Sequence, residues 1–517
     1  MGQIGRDFDD IRRGQDTEKQ ARAKREAAQR AAEAAAEQER LIAEQQARDA
    51  REASIAASVA SRLLVNRSSN NASIPIIYGT HRIGGVRVYV ETSNGSGTVE
   101  DTPTGNEYFN MIIVVSEGQT GPPKQVLFGD VIIWQDNGSN RPESGGQYTL
   151  NGFASGNEYS DAGAVMSINY HDGRDDQTVD TLIQNSVGGT ATGGNWPGTA
   201  RLRGVAYFAI KLKANADAYA GGVPVITVVV EGKHIKNVST INTTTNSYSN
   251  TVGDSQNPAD VIYDYLTNKR YGKSMDHDSS GNYQAGIDID IESFQLARTH
   301  YAGANGGSGI KFNGVIPTAA RLYDNVEMLT LSCNSSLVFA GGKYKLVPRK
   351  QNETSVFEFN KDNILGTVSV SRPAKSSLFN KVTAGYVDSS TALNYVDNVE
   401  VTYTGYGTDG TDGTNYLSED NGTVLESKVD YQMTTDTDYV KRLNQYRIDN
   451  SRHQISASFI ANHQALRVEC GDIVKIVQED LGWDSSANKL FRVLEITFQK
   501  GNTFEFICTE YESSIQI

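Results

Sequence analysis

Seven histidines are the side chains of this 517-residue chain best suited to move protons or hold a transition metal: His81, His171, His234, His277, His300, His453 and His463. None belongs to an HExxH pair, which would set two imidazoles on one helix face around zinc, and no GxSxG elbow presents a serine nucleophile. Gly272-Lys273-Ser274 matches the end of a phosphate-cradling loop, but Thr267 stands where that loop needs its first glycine. The fragment therefore reads as a helix stop. Residues 276–288, DHDSSGNYQAGID, open like a calcium loop with Asp276, Asp278, Ser280 and Gly281. Such a loop needs a bidentate glutamate at its twelfth position; Ile287 is there and Asp288 comes one place late, which favours a plain Asp/Ser/Gly turn. Carboxylates are plentiful, yet no pair is set apart, and glycoside hydrolysis depends on a separation in space that sequence spacing does not give. The three cysteines, Cys333, Cys470 and Cys508, form no CxxC and no zinc pattern. They read as buried free thiols of a protein assembled in a reducing cytosol. The pattern implies no catalytic residue, no metal and no cofactor.

One stretch, NPADVIYDYLTNKRYG (257–272), carries more information. Asn257 suits an N-cap and Pro258 the first helical position, where a missing N–H costs nothing. Val261, Ile262, Tyr265 and Leu266 recur at helical spacing. Lys269 and Arg270 fall in the expected last turn, where the dipole favours cations, and Gly272 follows as the stop. The spacing predicts a short amphipathic helix with a basic, aromatic end.

Most of the chain around it is β-like. IPIIYG and VRVYVET read as strands about a Gly84–Gly85 turn, and EYFNMIIVVSEGQTGPPKQVLFGDVIIW as two more about Gly121–Pro123. In 201–213, apolar residues on both faces predict a buried strand. Further helices are expected at 289–303, 316–334 (capped by Thr318) and 440–456. SSLVFAGGKYKLVPR is a hairpin about Gly341–Gly342. After 355 the strands are short with close turns, which suits a small barrel or sandwich. Residues 17–64 differ: rich in Ala, Glu, Gln and Arg and free of Gly and Pro, they predict one helix of about 13 turns. Asn66 and Asn237 head chance Asn-x-Ser/Thr sequons. Residues 405–415, GYGTDGTDGTN, read as an exposed loop. The net charge of −14 disfavours general nucleic-acid binding, which needs clustered Lys and Arg. It suits a wall that DNA slides past.

Several segments, in this order, resemble the central tail hub, or tip attachment, proteins of long-tailed lambda-like phages. They are VSEGQTGPPKQVLFGDVII, NPADVIYDYLTNKRYG with its Lys269-Arg270-Tyr271-Gly272 turn, FNGVIPTAARLYDNVEMLTLSCNSSLVFAGGKYKLVPRK, LFNKVTAGYVD, LRVECGDIVKI and CTEYESSIQI. Cys470 replaces the proline usual before Gly471-Asp472. The resemblance implies a mainly β fold with an α+β module: two small β-barrel or sandwich hub domains, a β insertion domain, an α+β domain and the long N-terminal helix. It divides the chain into 1–66 (helical arm), 67–134 (first part of hub barrel domain I), 135–200 (insertion domain II), 201–250 (return strands), 251–355 (α+β domain III) and 356–517 (C-terminal barrel domain IV). Asn257, Pro258, Tyr265, Arg270, Tyr271, Gly272, Gly341, Gly342, Gly471 and Asp472 would be structural hub residues.

The function implied is a homotrimer closing the distal end of a tail tube, adapting a six-fold tube to a three-fold tip and opening for DNA ejection. It would sit at the virion's distal tip after assembly in the host cytoplasm. Implied partners are the distal tail protein ring, tail fibres or a spike, and the host envelope on ejection; DNA would pass without specific binding. The arm at 17–64 matches none of the family's motifs, and its own reading is a contact with the tape-measure protein or with neighbouring tip subunits. Larger relatives continue into receptor-binding domains, so a chain ending at Ile517 is expected to delegate receptor recognition. Two alternatives stand beside this: a glycan-binding or glycan-cleaving tail protein, for which Trp196 in TGGNWPGTA would be a presented platform, and a gene transfer particle or injection device of the same ancestry.

Overall fold

The computed structural model describes residues 66, 72–93, 107–187, 196–219, 221–248, 256–372, 378–391, 393–402, 416–484, 486 and 489–515. The helix expected at 17–64 and the loop expected at 405–415 lie outside the described residues. The described chain is mainly β with an α+β portion.

The first unit is two sheets face to face. One has six strands in the order Val86–Ser93, Tyr108–Glu117, Val205–Lys213, Met166–His171, Gln147–Leu150 and Glu143–Ser144; the other has four, in the order Thr80–Ile83, Ile226–Glu231, Pro123–Phe128 and Val131–Gln135. Val205–Lys213 is flanked by strands on both sides and is apolar on both faces, as its sequence predicts. Ala206, Phe208 and Ile210 face the four-stranded sheet and meet Val126, Phe128, Val228 and Trp134. Tyr207 and Ala209 face the other way, under Ile183 and Trp196. The alternation follows from the two-residue period of a strand.

Gly84–Gly85 does not make a hairpin turn. The strands it joins belong to different sheets, so the pair is a corner. At Gly85 the backbone is left-handed (φ +67°), and a Cβ there would lie 2.5 Å from the Val114 carbonyl oxygen. Only glycine fits so close an approach.

A short antiparallel pair, Ile76–Tyr78 with Gly314–Ile316, ties this unit to the helical one. There Pro258–Thr267, Ile291–Gly303 and Leu322–Ser332 pack with the hairpin Ser335–Ala340/Lys343–Pro348. The same core takes in Val382, Ala384 and Tyr386 of Lys381–Asp388, Val429 and Tyr431 of Glu426–Tyr431, and Tyr439, Val440, Leu443 and Ile448 of helix Thr437–Arg452. Residues 356–517 thus contribute to two cores.

The second of these is the C-terminal sheet, ordered Phe357–Phe359, Ile473–Ile476, Leu490–Gln499, Thr503–Tyr511, Ser456–Ala461, Ile364–Ser371. Its two edge strands are joined by residues 360–363 alone. Six strands laid flat put the edges about 24 Å apart at 4.8 Å per step, and four intervening residues reach about 17 Å at most. The sheet must curl, and its centre is filled by Phe359, Phe459, Phe491 and Phe506. It is a half-barrel, hereafter the barrel.

The helix at 322–332 starts later than expected. Thr318 is not its cap: that hydroxyl donates to the Ile74 carbonyl (2.7 Å), and Arg321 occupies the N-cap position without a side-chain bond.

Candidate functional site: two inter-unit joints

Of the residues singled out by the sequence, Arg270 and Tyr271 lie at one joint between units and Gly341, Gly342, Gly471 and Asp472 at a second, whereas Asn257, Pro258 and Tyr265 lie within the helical unit that the first joint holds. In that unit Asn257 caps Pro258–Thr267 by accepting from the Ala259 N–H (3.0 Å), and its own amide donates to the Arg298 carbonyl (3.1 Å). The helix is not amphipathic, as its spacing suggested. Every residue but Asp264 is buried, so it is the axle of the unit. Its polar side chains are satisfied inside. Asp260 accepts from the Val238 N–H (2.8 Å) and the Arg298 guanidinium (3.1 Å), Tyr263 donates to Asp276 (2.8 Å), and Tyr265 accepts from the Asn325 amide (2.7 Å).

The helix stops at Thr267, so Lys269 and Arg270 lie beyond its last turn rather than in it. Residues 272–275 fold back on the helix end and supply N–H groups to the carbonyls of Leu266 and Asn268, which a helix C-terminus leaves unpaired. Gly272 is required for space, not for a left-handed backbone. A Cβ there would sit 1.9 Å from the Tyr265 carbonyl oxygen and 2.8 Å from that of Asn268.

That fold-back aims Arg270 and Tyr271 at the β unit. Arg270 Nε donates to Glu117 (2.7 Å). Tyr271 Oη donates to Asp264 (2.7 Å), and Tyr78, from the strand Ile76–Tyr78, donates to the same carboxylate (2.6 Å). Lys233, next to the end of Ile226–Glu231, closes the cluster on Asp264 (3.3 Å) and on the Tyr271 hydroxyl. Burial, and then the Asp264 charge, push the Tyr78 and Tyr271 hydroxyls well above the ordinary tyrosine range. Burial raises the Glu117 carboxyl against the pull of Arg270 and Lys233. The two tyrosine hydroxyls thus stay protonated through neutral pH, which suits a fixed joint. Sequence reasoning missed Tyr78, Glu117 and Lys233. They come from strands remote in the chain, and no local pattern pairs them with Asp264.

The second joint lies between the hairpin at 335–348 and the turn Glu469–Asp472. Gly341 and Gly342 both have left-handed backbones (φ +61° and +80°), as a tight two-residue hairpin turn needs. Asp472 accepts from the Glu469 N–H (2.9 Å) and fixes the turn. Gly471 (φ +95°) brings it so near the hairpin that a Cβ would lie 3.2 Å from Val347. Lys345 reaches across to Glu469. Cys470 occupies the proline position, half-buried.

The remaining chemical candidates are occupied structurally. Asp276 accepts from the backbone N–H groups of Asp288 and Ile289 (3.0 and 3.2 Å), and Asp278 from those of Ser280 and Asn282 (2.9 and 2.8 Å); the carboxylates of 276–288 close their own loop. His171 bonds Asp180 (2.9 Å), but that carboxylate also takes the Asn169 amide (2.9 Å) and the Ile183 N–H (2.8 Å) as a helix cap. Trp196 is buried and packed on Tyr89 (ring centroids 4.9 Å apart), which removes it as a presented sugar platform. A cleft of about 620 Å³ between the units is lined by polar and apolar groups, among them Thr80, Gln125, Ile132, Val229, Gln256 and Asn313. Its lining carboxylate, Asp136, is held by Arg141 (2.8 Å) and Lys124 (3.8 Å). Among the described residues no group of His, Cys, Asp and Glu is placed to hold a metal ion.

No protein-family model and no curated protein sequence matches the chain. Among solved structures it is similar to a chain in the virion of a native gene transfer agent particle: 12% identical, 88% of each chain covered, TM-score 0.52. It is also aligned with a 43 kDa tail protein of prophage MuSo2 from Shewanella oneidensis (10% identical, 86% of this chain and 99% of that one, TM-score 0.29). A third is prophage tail protein gp18 from Listeria monocytogenes EGD-e (10%, 85% and 89%, TM-score 0.27). The last two superpose too loosely to carry an argument. The first shows a fold shared over most of both chains.

Proposed function

We propose that the chain is a structural component of a phage-type virion tail, and more specifically the trimeric hub closing the distal end of the tail tube. The observation that carries this is the fold shared with a gene transfer agent virion chain over 88% of both sequences. What a shared fold leaves open, the site must argue. Here the residues of the hub-like motifs cap a buried helix, shape close turns and reach across joints between units, as a scaffold requires. In this reading the barrels line the ring that meets the tube and the distal tail protein. The acidic chain lets DNA pass without binding it, and the segment 17–64 meets the tape-measure protein. Fibres or a spike attach below, the host envelope is met on ejection, and no step is catalysed. The protein is placed at the distal tip of the virion after assembly in the host cytoplasm.

The test is the solution mass by light scattering, with negative-stain images of the same sample and of its mixture with the distal tail protein. A trimer with a six-lobed ring supports the hub. A monomer that stays single with the distal tail protein, and that binds or cleaves host glycan, overturns it.

A further inference from the structure

We propose that the C-terminal barrel is a hinged body, held against the helical unit by an ionic latch centred on Lys345. The inference rests on the two joints being built differently, and it stands whether or not the hub reading does.

At the first joint the units share a strand pair, and Asp264, 13% exposed, is covered by two tyrosines and a lysine. At the second, the two cores stay separate. Among the described residues, the core around Phe359, Phe459 and Phe506 has no member in common with the core around Tyr263, Phe294 and Tyr439. What crosses is Lys345, set between Asp290 of the helical unit (3.6 Å) and Glu469 of the barrel, with Gly471 resting on Val347. Lys345 and Asp290 are each about a quarter exposed and Glu469 nearly half. Burial works to lower the Lys345 ammonium's affinity for its proton, but Glu469 and then Asp290 raise it, so the latch is charged at neutral pH. Partly exposed pairs of this kind hold weakly and are screened by salt.

The chain itself shows where the barrel can turn. The Arg349 N–H donates to Asn334 of the helical unit (3.1 Å). One residue on, the Lys350 carbonyl accepts from Tyr511 of the barrel (2.8 Å), and the Asn352 N–H donates to Ser513 (3.1 Å). The bonds change sides between 349 and 350. They do so again after helix Thr437–Arg452, where His453 still donates back to Asn450 and Ile455 is already paired with Glu510. His453 lies 3.6 Å from Glu510, at the crossing itself.

The experiment is single-molecule energy transfer on the full chain, with dyes at Ala302→Cys and Thr497→Cys in a Cys470→Ser background; Cys333 and Cys508 are buried. At low ionic strength the unaltered latch gives one narrow distance. Lys345→Ala, or roughly 0.5 M salt, at which screening reaches only about 4 Å, broadens it or adds a second population. Lys345→Arg keeps the narrow one. Near-ultraviolet circular dichroism follows folding in each variant. A distribution that stays narrow in Lys345→Ala and in salt overturns the proposal, as does broadening that comes only with loss of the near-ultraviolet signal.

Discussion

Replacing Gly272 by alanine tests the first joint most directly. The new Cβ would lie 1.9 Å from the Tyr265 carbonyl oxygen. Carbon and oxygen need about 3.3 Å, so the fold-back must retreat by more than about 1 Å. Overpacking of this kind costs about 1–3 kcal/mol. The retreat also takes Tyr271 off Asp264, and a hydrogen bond to a charged group contributes about 1.5–3 kcal/mol. Together the loss is about 3–5 kcal/mol. Gly303 is the control: it ends a helix, a Cβ there meets nothing within 4 Å, and alanine should be neutral or add up to about 1 kcal/mol. Urea unfolding followed by far-ultraviolet circular dichroism suits the assay, because the described helices of eight or more residues all lie in the helical unit. Tryptophan fluorescence reports other bodies, Trp134 and Trp196 in the first unit and Trp483 on the barrel. With a slope of about 3 kcal/mol per molar, Gly272→Ala moves the helical midpoint down by about 1 M or more. An unchanged midpoint would refute the argument from close approach.

Other outcomes follow from single contacts. Lys233→Met leaves the Asp264 charge buried with two tyrosines as its only partners at the joint, and should cost about 3 kcal/mol in the same assay, the lower end for a broken buried pair. Asn66→Ala removes an amide that both donates to and accepts from the Ile226 backbone (2.8 Å each), so hydrogen exchange at the Ile226 N–H should quicken while strand Pro123–Phe128 stays protected. Burial pushes the Asp449 carboxyl up to about 6, against the lowering effect of Gln445, Tyr416, His453 and Arg452. A raised carboxylate makes the folded state bind more protons than the unfolded one between about pH 4 and 6, so this group's contribution to stability falls as pH rises through that window. Asp449→Asn should therefore raise the melting temperature at pH 7.5 and change it little at pH 4; a larger gain at pH 4 would reverse the sign.

How much of this was legible in the chain depended on whether the cause was local. Asn257-Pro258 announces a helix start because capping is settled within three residues, and Gly341–Gly342 announces a hairpin because left-handed backbone is a local demand. The helix end was misread for the opposite reason. Gly272 and the basic pair before it fit a dipole-stabilised last turn, but the chain leaves the helix at Asn268 and doubles back, since Arg270 has its partner, Glu117, on a strand more than a hundred residues away and Tyr271 shares Asp264 with the equally remote Tyr78. The sequence pattern of the helix failed similarly. Asp260 and Tyr263 look like a solvent face until Arg298 and Asp276 are brought to them. Thr318 was an acceptable cap until Ile74 claimed its hydroxyl. Gly84–Gly85 reads as a hairpin only if both neighbours stay in one sheet. In each case the residue types were informative, and the partner was supplied by topology.

The pairing of Ile76–Tyr78 with Gly314–Ile316 has a consequence for biosynthesis. The two strands are separated by roughly 240 residues of chain. At about 5–20 residues per second, the ribosome takes on the order of 12–50 s between completing the first and completing the second. Through that interval Ile76 and Tyr78, both buried in the core of the helical unit, have no partner strand. A nascent chain must therefore wait with an apolar edge uncovered, and the time it waits is set by translation rather than by folding.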